Sequence, residues 1–335
     1  MKIAINGFGR IGRTFFRAAY DAKLDIVAVN DLADLKTLGF LLKHDSTYGE
    51  FPGCVEYDDA NLTVDGKMVG FYSEEDPAKL PWKDLDIDVV IESTGAFTEK
   101  AKAQKHIDAG AKYVVISAPS KGEDPVNTFV LGINADKFNK ETDKVCSMAS
   151  CTTNALTPVA DVLNKAFGIE KAMMSTIHSY TMDQVLQDSP HKDLRRARSA
   201  TQSIIPTTTG ATKATADVIP DLKDKMDGVS FRVPTATVSL VDFVALLKKD
   251  VTVDEVNQAM TDASNDPNYH GALAVSDEPL VSADYRGNPN ASIVDLLSTQ
   301  VVAGNLVKVI AWYDNELGYS YRLAEFCRLL EKNLQ

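Results

Sequence analysis

Ile3-Ala4-Ile5-Asn6-Gly7-Phe8-Gly9-Arg10-Ile11-Gly12 is the stretch from which the fold can be read. Three apolar residues make a short buried strand, G-x-G-x-x-G follows at once, and Ile11, Phe15, Ala18 and Ala19 then share one helical face. In that setting Gly7 permits a tight turn, Gly9 lets a ligand approach the backbone, and Gly12 lets the helix pack on the strand. The helix N-terminus then faces a pyrophosphate. A second strand, Ile26 to Val29, runs into Asn30-Asp31, where a carboxylate can bind a ribose 2′-hydroxyl and would repel a 2′-phosphate. The expected ligand is therefore NAD, in preference to NADP.

The same alternation continues outward. Val89-Val90-Ile91 leads into Glu92-Ser93-Thr94-Gly95, a helical stretch reaches Gly110, and Tyr113 to Ile116 opens onto Ser117. Ligands of open parallel sheets lie beyond the carboxyl ends of the strands, so Thr94, Gly95 and Ser117 join Gly7, Gly9, Gly12 and Asp31 as candidate cofactor contacts. A further strand, Val145 to Ala149, carries the chain to the same edge, where Cys151 would meet the nicotinamide.

Cys151 stands where that apolar run stops and a helical pattern begins: Leu156, Val159, Ala160, Leu163 and Phe167 recur at helical spacing before Gly168. Pro158 is expected to end the first turn or kink it. A thiol in the first turn sees the positive end of the helix dipole, which favours the thiolate. Most free cysteines are merely small buried hydrophobes, so the assignment depends on the remaining residues. Ala172 to His178 reads as a strand presenting His178 at its end. Beyond it, residues from Ser179 to Ala200 lack periodicity and finish in His191-Lys192-Asp193-Leu194-Arg195-Arg196-Ala197-Arg198. Loops of that length inside a compact domain are usually functional. Thr207-Thr208-Thr209-Gly210 offers hydroxyls, and Phe231-Arg232-Val233 sets one arginine among strand residues, a group well matched to phosphate oxygens. Val238 to Leu247, Ile293 to Leu297 and Leu306 to Trp312 read as strands, and Thr252-Val253-Asp254-Glu255 as a capping box. A final amphipathic helix places Leu323, Phe326, Cys327 and Leu330 on one side and is expected to pack on the first domain.

With 335 residues the chain suits two domains. The expected fold is α/β: a Rossmann-type doubly wound parallel sheet over residues 1–150, completed by helix 316–335, plus an α+β catalytic domain over residues 151–315 with a mixed or antiparallel sheet. A net charge of −12 argues against non-specific nucleic-acid binding. The four cysteines are scattered and the five histidines isolated, which fits a reducing compartment and disfavours a metal site. The early glycine turn leaves no room for an apolar signal core and no apolar run is long enough to span a bilayer, so a cytoplasmic location with no membrane association is expected.

Ala149-Ser150-Cys151-Thr152-Thr153-Asn154, Asn6 to Arg13 (N-G-F-G-R-I-G-R), Ser93 to Gly95, His178 to Thr181 (H-S-Y-T), His191 to Arg198 and Trp312 to Glu316 (W-Y-D-N-E) together resemble the glyceraldehyde-3-phosphate dehydrogenase family, over the whole chain. The resemblance implies an NAD-dependent, phosphorylating aldehyde dehydrogenase of glycolysis, usually a homotetramer, with Cys151 as nucleophile and His178 as base. It implies that Thr181 and Arg232 bind the substrate's own phosphate. Ser150, Thr152, Thr209, Gly210 and Arg196 would receive inorganic phosphate. Asn315 would hold the nicotinamide carboxamide, and Arg10 and Ile11 would add cofactor contacts to Asp31, Thr94 and Ser117. Three positions depart from the family pattern. Ala155 replaces a common cysteine, Glu75 stands where a basic residue is frequent near the adenine, and Ser189 precedes Pro190 where leucine often does. The competing readings are a same-fold erythrose-4-phosphate dehydrogenase in which water takes the acyl group, a Cys/His peptidase, for which Asp31 and the glycine turn would have no use, and a non-catalytic NAD-binding protein.

Overall fold

The computed structural model describes residues 1–334, which divide into two compact units. Unit 1 comprises residues 1–129, 137–149 and the end of the chain from residue 323; unit 2 comprises residues 130–136 and 150–322.

Unit 1 opens with β1 (Lys2–Asn6), α1 (Arg10–Asp21), β2 (Asp25–Asn30) and α2 (Leu35–Lys43). A two-residue hairpin, β3 (His44–Asp45) with β4 (Gly49–Glu50), precedes β5 (Val55–Tyr57), β6 (Leu62–Val64) and β7 (Lys67–Tyr72). Then come β8 (Val89–Glu92), α3 (Lys100–Asp108), β9 (Tyr113–Ile116) and β10 (Val145–Ser147). The main sheet has the order β10-β9-β8-β1-β2-β7-β6-β5. Every neighbouring pair from β10 to β7 is parallel, and β7-β6-β5 continue it as an antiparallel edge. This is the doubly wound sheet expected from the βαβ alternation. Its central strands are buried on both faces, so they read as continuous apolar runs: Ile3, Ala4, Ile5, Val89, Val90, Ile91, Val114 and Val115 are all inaccessible.

Unit 2 begins with α4 (Cys151–Phe167) and β11 (Ile169–Ser179), followed by a segment without helix or strand up to β12 (Ile205–Thr207). It continues through α5 (Ala211–Val218), β13 (Met226–Val233), β14 (Ser239–Leu247), α6 (Val253–Asn265), β15 (Ala274–Ser276), β16 (Ile293–Asp295), β17 (Gln300–Val302) and β18 (Leu306–Tyr313). The sheet runs β12-β13-β11-β14-β18-β16-β15, with β17 also on β18. It is mixed: β11 pairs parallel with β13 and β15 with β16, whereas β14 pairs antiparallel with both β11 and β18. Strict alternation of burial along β14 gives one face to the core, where Val241, Phe243, Ala245 and Leu247 meet Leu156, Val159, Ala160 and Leu163 of α4. The capping box at Thr252 is present, with Glu255 N donating to Thr252 Oγ1 at 3.2 Å and Thr252 N donating to Glu255 Oε2 at 2.7 Å.

Three local expectations need correcting. Pro158 does not end the first turn: α4 runs on through it to Phe167 although Pro158 has no N–H to give. The strand before Cys151 stops at Ser147 rather than Ala149, since Ala149 adopts φ +54. Leu296–Ser298 leaves the strand as a short 3-10 turn capped by Asp295.

The last helix is α7 (Leu317–Leu334). In its unit 1 portion Leu323, Phe326, Cys327 and Leu330 are inaccessible, and the Phe326 ring stacks on Phe129 at 5.8 Å. Arg328 donates to the Ala22 carbonyl beyond α1, and Glu331 pairs with the N-terminal ammonium at 3.3 Å.

Candidate active site

In unit 1 the glycines fit a dinucleotide for steric reasons. A Cβ on Gly7, which has φ +92, would lie 2.7 Å from Thr94 N; a Cβ on Gly12 would lie 2.1 Å from the Gly7 carbonyl oxygen. Around Gly9 there is open space, which is where a pyrophosphate must come closest. Gly9 is also the N-cap of α1 and supplies no side-chain cap, so the dipole end of the helix faces outward. Asp31 follows β2, its Oδ2 accepting from Phe8 N at 2.6 Å and its Oδ1 from Ala33 N at 2.9 Å. Two backbone donors thus orient the carboxylate and leave lone pairs for a diol. These residues fit NAD.

Other candidate contacts are engaged within the protein. Thr94 Oγ1 and Thr94 N both donate to Glu92 Oε1, and Ser117 Oγ donates to the Glu92 carbonyl at 3.0 Å. Arg10 turns its guanidinium onto Asp45 at 2.5 Å and over the Tyr48 ring, and its backbone opens the first turn of α1. Ile11, the next residue of that turn, is partly exposed, and Gly95 has φ +75 with nothing within 4 Å of a Cβ.

In unit 2 the chemistry gathers at the start of α4. Ala149, left-handed although not glycine, reverses the chain, and conformations of that kind cost about 1–3 kcal/mol. Ser150 is the N-cap: its Oγ accepts from Thr153 N at 3.1 Å. Cys151 therefore occupies the first helical position, with Sγ 3.5 Å from His178 Nε2. His178 comes from the end of β11 and is buried, its Nδ1 2.6 Å from the Ser179 carbonyl. Because β11 and β13 pair parallel in register, His178 lies directly beside Arg232, and Arg232 Nη1 approaches His178 Nδ1 to 2.7 Å.

Burial pushes the Cys151 thiol above its ordinary value, opposed by the charge of Arg232 and by the Thr152 hydrogen bonds. Burial, with Arg232 adding to it, pushes His178 down to about 3. Moving the proton from Sγ to Nε2 creates both charges together, in contact, at the start of a 17-residue helix whose dipole favours the anion.

The anion-binding candidates each have partners of their own in unit 2. Thr152 Oγ1 and Thr176 Oγ1 both bond the buried Tyr313 hydroxyl, at 2.8 and 2.9 Å. Arg196 reaches Thr207 Oγ1 through Nε at 2.9 Å and Nη2 at 2.7 Å, and pairs with Asp183. Thr209 Oγ1 accepts from Ala211 N at 3.2 Å, with Gly210 as the N-cap of α5. The backbone N–H of Thr181 donates to Gln184 Oε1 at 3.2 Å. Asn315 Oδ1 accepts from Ser239 Oγ at 2.9 Å, which fixes the amide with Nδ2 pointing away from that bond. Tyr313 and the direct Arg232–His178 contact escaped the sequence reading; W-Y-D-N-E contained the first, and only the strand register could have shown the second. Among the described residues no cluster of three or more His, Cys, Asp or Glu could hold a metal, and no helix is long and apolar enough to cross a membrane.

Comparison with known proteins gives the same assignment. Residues 1–100 match the family model described as glyceraldehyde 3-phosphate dehydrogenase, NAD binding domain, and residues 150–315 match its C-terminal domain. The chain is 53% identical over 326 residues to glyceraldehyde-3-phosphate dehydrogenase of Geobacillus stearothermophilus, covering 97% of this chain and 96% of that one. It is 52% identical over 333 residues to glyceraldehyde-3-phosphate dehydrogenase 1 of Bacillus subtilis (strain 168), covering 99% and 98%. With that of Borreliella burgdorferi it shares 50% over 338 residues, covering 99% and 100%. A dinucleotide cradle, a cysteine–histidine pair at a helix start and likeness along nearly the whole chain lead to one conclusion: the chain belongs to the glyceraldehyde-3-phosphate dehydrogenase family.

Proposed function

We propose that this protein oxidises glyceraldehyde 3-phosphate to 1,3-bisphosphoglycerate, using NAD and inorganic phosphate, as a step of glycolysis. The observation that carries the reading is the 3.5 Å contact between Cys151 Sγ and His178 Nε2 at the first turn of α4, with Arg232 against the same ring. Cys151 Sγ gives its proton to Nε2 and bonds to the aldehyde carbon, and the carbonyl oxygen recovers that proton as the hydroxyl of a thiohemiacetal. The developing oxyanion is stabilised by the helix start and by the protonated imidazole. Nε2 then removes the hydroxyl proton as the carbon releases a hydride, and a thioester remains on Sγ. NAD, held by Gly7, Gly9, Arg10, Ile11, Gly12, Asp31, Thr94, Gly95, Ser117 and Asn315, supplies the acceptor for that hydride. A phosphate oxygen attacks the thioester carbon, the C–S bond breaks, and the acyl phosphate leaves Cys151 as thiolate.

Thr181 and Arg232 bind the substrate's phosphate in this reading, and Ser150, Thr152, Arg196, Thr209 and Gly210 the attacking one. The unit 1 residues form the NAD-binding domain, and those of unit 2 the catalytic domain. We further propose a cytoplasmic homotetramer; the exposed Met173 and Leu306 side chains on the open face of the unit 2 sheet support association of copies. NADH formation from glyceraldehyde 3-phosphate, measured with and without inorganic phosphate, tests the activity. Sustained turnover only with phosphate is expected, whereas equal turnover without it would overturn the phosphorylating reading.

A further inference from the structure

Beneath the cofactor-facing loops of unit 1 lies a buried polar chain that the reaction itself does not use. Glu92 ends β8 with its side chain inaccessible, and no lysine or arginine among the described residues pairs with it. Four donors satisfy its carboxylate instead. Thr94 N, at 2.8 Å, and Thr94 Oγ1 bond Oε1, while Asn6 Nδ2, at 2.6 Å, and His106 Nε2, at 3.1 Å, bond Oε2. The polarity is fixed from both ends. The Trp82 indole N–H can only donate, and it does so to His106 Nδ1 at 3.0 Å, so the ring hydrogen sits on Nε2 and points at Glu92. At the other end Asn30 Oδ1 accepts from Glu74 N at 2.9 Å, so Asn30 Nδ2 donates to Asn6 Oδ1 at 2.7 Å, leaving Asn6 Nδ2 for Glu92.

Each strand-end member of this chain adjoins a residue assigned to the cofactor. Asn30 precedes Asp31, Asn6 precedes Gly7, and Glu92 grips Thr94, whose backbone N stands 2.7 Å from where a Gly7 Cβ would be. Ser93 Oγ closes the same junction by donating to the Gly7 carbonyl at 2.7 Å. The two far ends meet again at a cavity of about 370 Å³ lined by Glu74, Glu75, Asp76, Lys79, Phe97 and Lys105. Glu74 belongs to it through Asn30, and Phe97 packs edge-on against the His106 ring at 6.2 Å.

We propose that Glu92 and His106 are positioning residues for the dinucleotide: one internally satisfied hydrogen-bond chain sets the glycine turn, Asp31, the Thr94 loop and the Glu74–Phe97 cavity relative to one another. This rests on the NAD-dependent reading above. A preorganised site spends no binding free energy on ordering these loops, so breaking the chain weakens dinucleotide affinity and leaves the chemistry of unit 2 untouched.

The test compares His106→Leu, which fills the space without donor or acceptor, with His106→Gln, which keeps an N–H for Glu92. Readouts are NAD and ADP-ribose dissociation constants, kcat at saturating NAD, and the rate of Cys151 alkylation by iodoacetamide in the free protein. For His106→Leu both dissociation constants are expected to rise about tenfold, with kcat within about twofold and alkylation unchanged, and Gln is expected to recover most of the loss. Unchanged affinities in folded His106→Leu, or a Gln variant no better than Leu, would overturn the proposal. Should His106→Leu not fold, Trp82→Phe asks the same question, since it removes the N–H that fixes the tautomer together with part of a buried ring; a dissociation constant equal to wild type would refute the role. These affinities are read on the protein without turnover, so failure of wild type to form NADH would count against the proposed activity and not against the positioning role.

Discussion

Removing one oxygen atom from Tyr313 isolates the link between the helix that carries Cys151 and the strand that carries His178. In Tyr313→Phe the ring keeps its packing, including its edge-on approach to His178 at 6.0 Å, and only the hydroxyl bridging Thr152 and Thr176 is lost. Thr152 and Thr176 are both buried. Thr152 Oγ1 can turn toward Cys151 Sγ, already 4.0 Å away, but the Thr176 hydroxyl has no other hydrogen-bond partner among the described residues and is left unsatisfied. Loss of the net hydrogen bonding plus one orphaned buried hydroxyl comes to about 2–4 kcal/mol. Urea unfolding of wild type and variant at the same protein concentration reads that difference. Because Thr152 belongs to the proposed inorganic-phosphate site, KM for phosphate should also rise, by about three- to tenfold for a donor turned away from its place. NAD affinity should stay constant, since the lost hydroxyl bonds only Thr152 and Thr176 and the Ser239 bond that holds Asn315 is left in place. A variant less than about 0.5 kcal/mol weaker with an unchanged phosphate KM would refute the reasoning, because it would mean that the bridge neither stabilises the junction nor orients Thr152.

Further outcomes follow from the same geometry. Cys151→Ser should abolish dehydrogenation in an NADH assay while leaving NAD affinity within about twofold, because the nucleophile takes no part in holding the dinucleotide. Asp31→Ala removes the acceptor for the ribose diol; NAD should bind about 10- to 100-fold more weakly and the ratio of kcat/KM for NAD over NADP should fall, by steady-state kinetics with both cofactors. Burial pushes the Asp45 carboxyl up, but hydrogen bonds from Tyr48 N, Arg10 and Thr47 N outweigh it and hold the group below its ordinary 3.8. A carboxyl depressed on folding contributes stability that is present above about pH 4 and disappears as pH falls further, so Asp45→Asn should flatten the acid limb of a stability–pH curve below that pH. A limb of unchanged slope would count against the Arg10–Asp45 pair.

The dinucleotide cradle was legible because its requirements are local. A turn that admits no Cβ must be written in glycine, and a carboxylate at the end of β2 follows a few residues after a readable strand. Cys151 at a strand-to-helix junction was legible for the same reason. The mixed class of the second sheet followed from its apolar runs, yet its order did not: β12-β13-β11-β14-β18 joins strands far apart in sequence, and alternation says which face is buried but not which strand is the neighbour. The Arg232–His178 contact is hidden for that reason. The basic loop was legible as charge, but not that Asp183 pairs with Arg196 and Asp188 with Arg198. Pro158 did not stop α4 because tertiary packing around the helix, buried from Thr152 to Leu163, outweighs one missing hydrogen bond.

The parallel pairing of β11 with β13 has a consequence for how this protein can change over generations. Side chains alternate across a sheet, so removing a single residue from either strand ahead of the site would turn His178 or Arg232 to the opposite face. A point substitution at one position of these strands leaves the facing of every other side chain as it was, whereas a one-residue deletion there silences the enzyme in one event even if the sheet re-forms. Insertions and deletions in descendants of this gene should therefore be confined to the connecting loops, with the spacing from Ala172 to His178 and from Met226 to Arg232 carried unaltered.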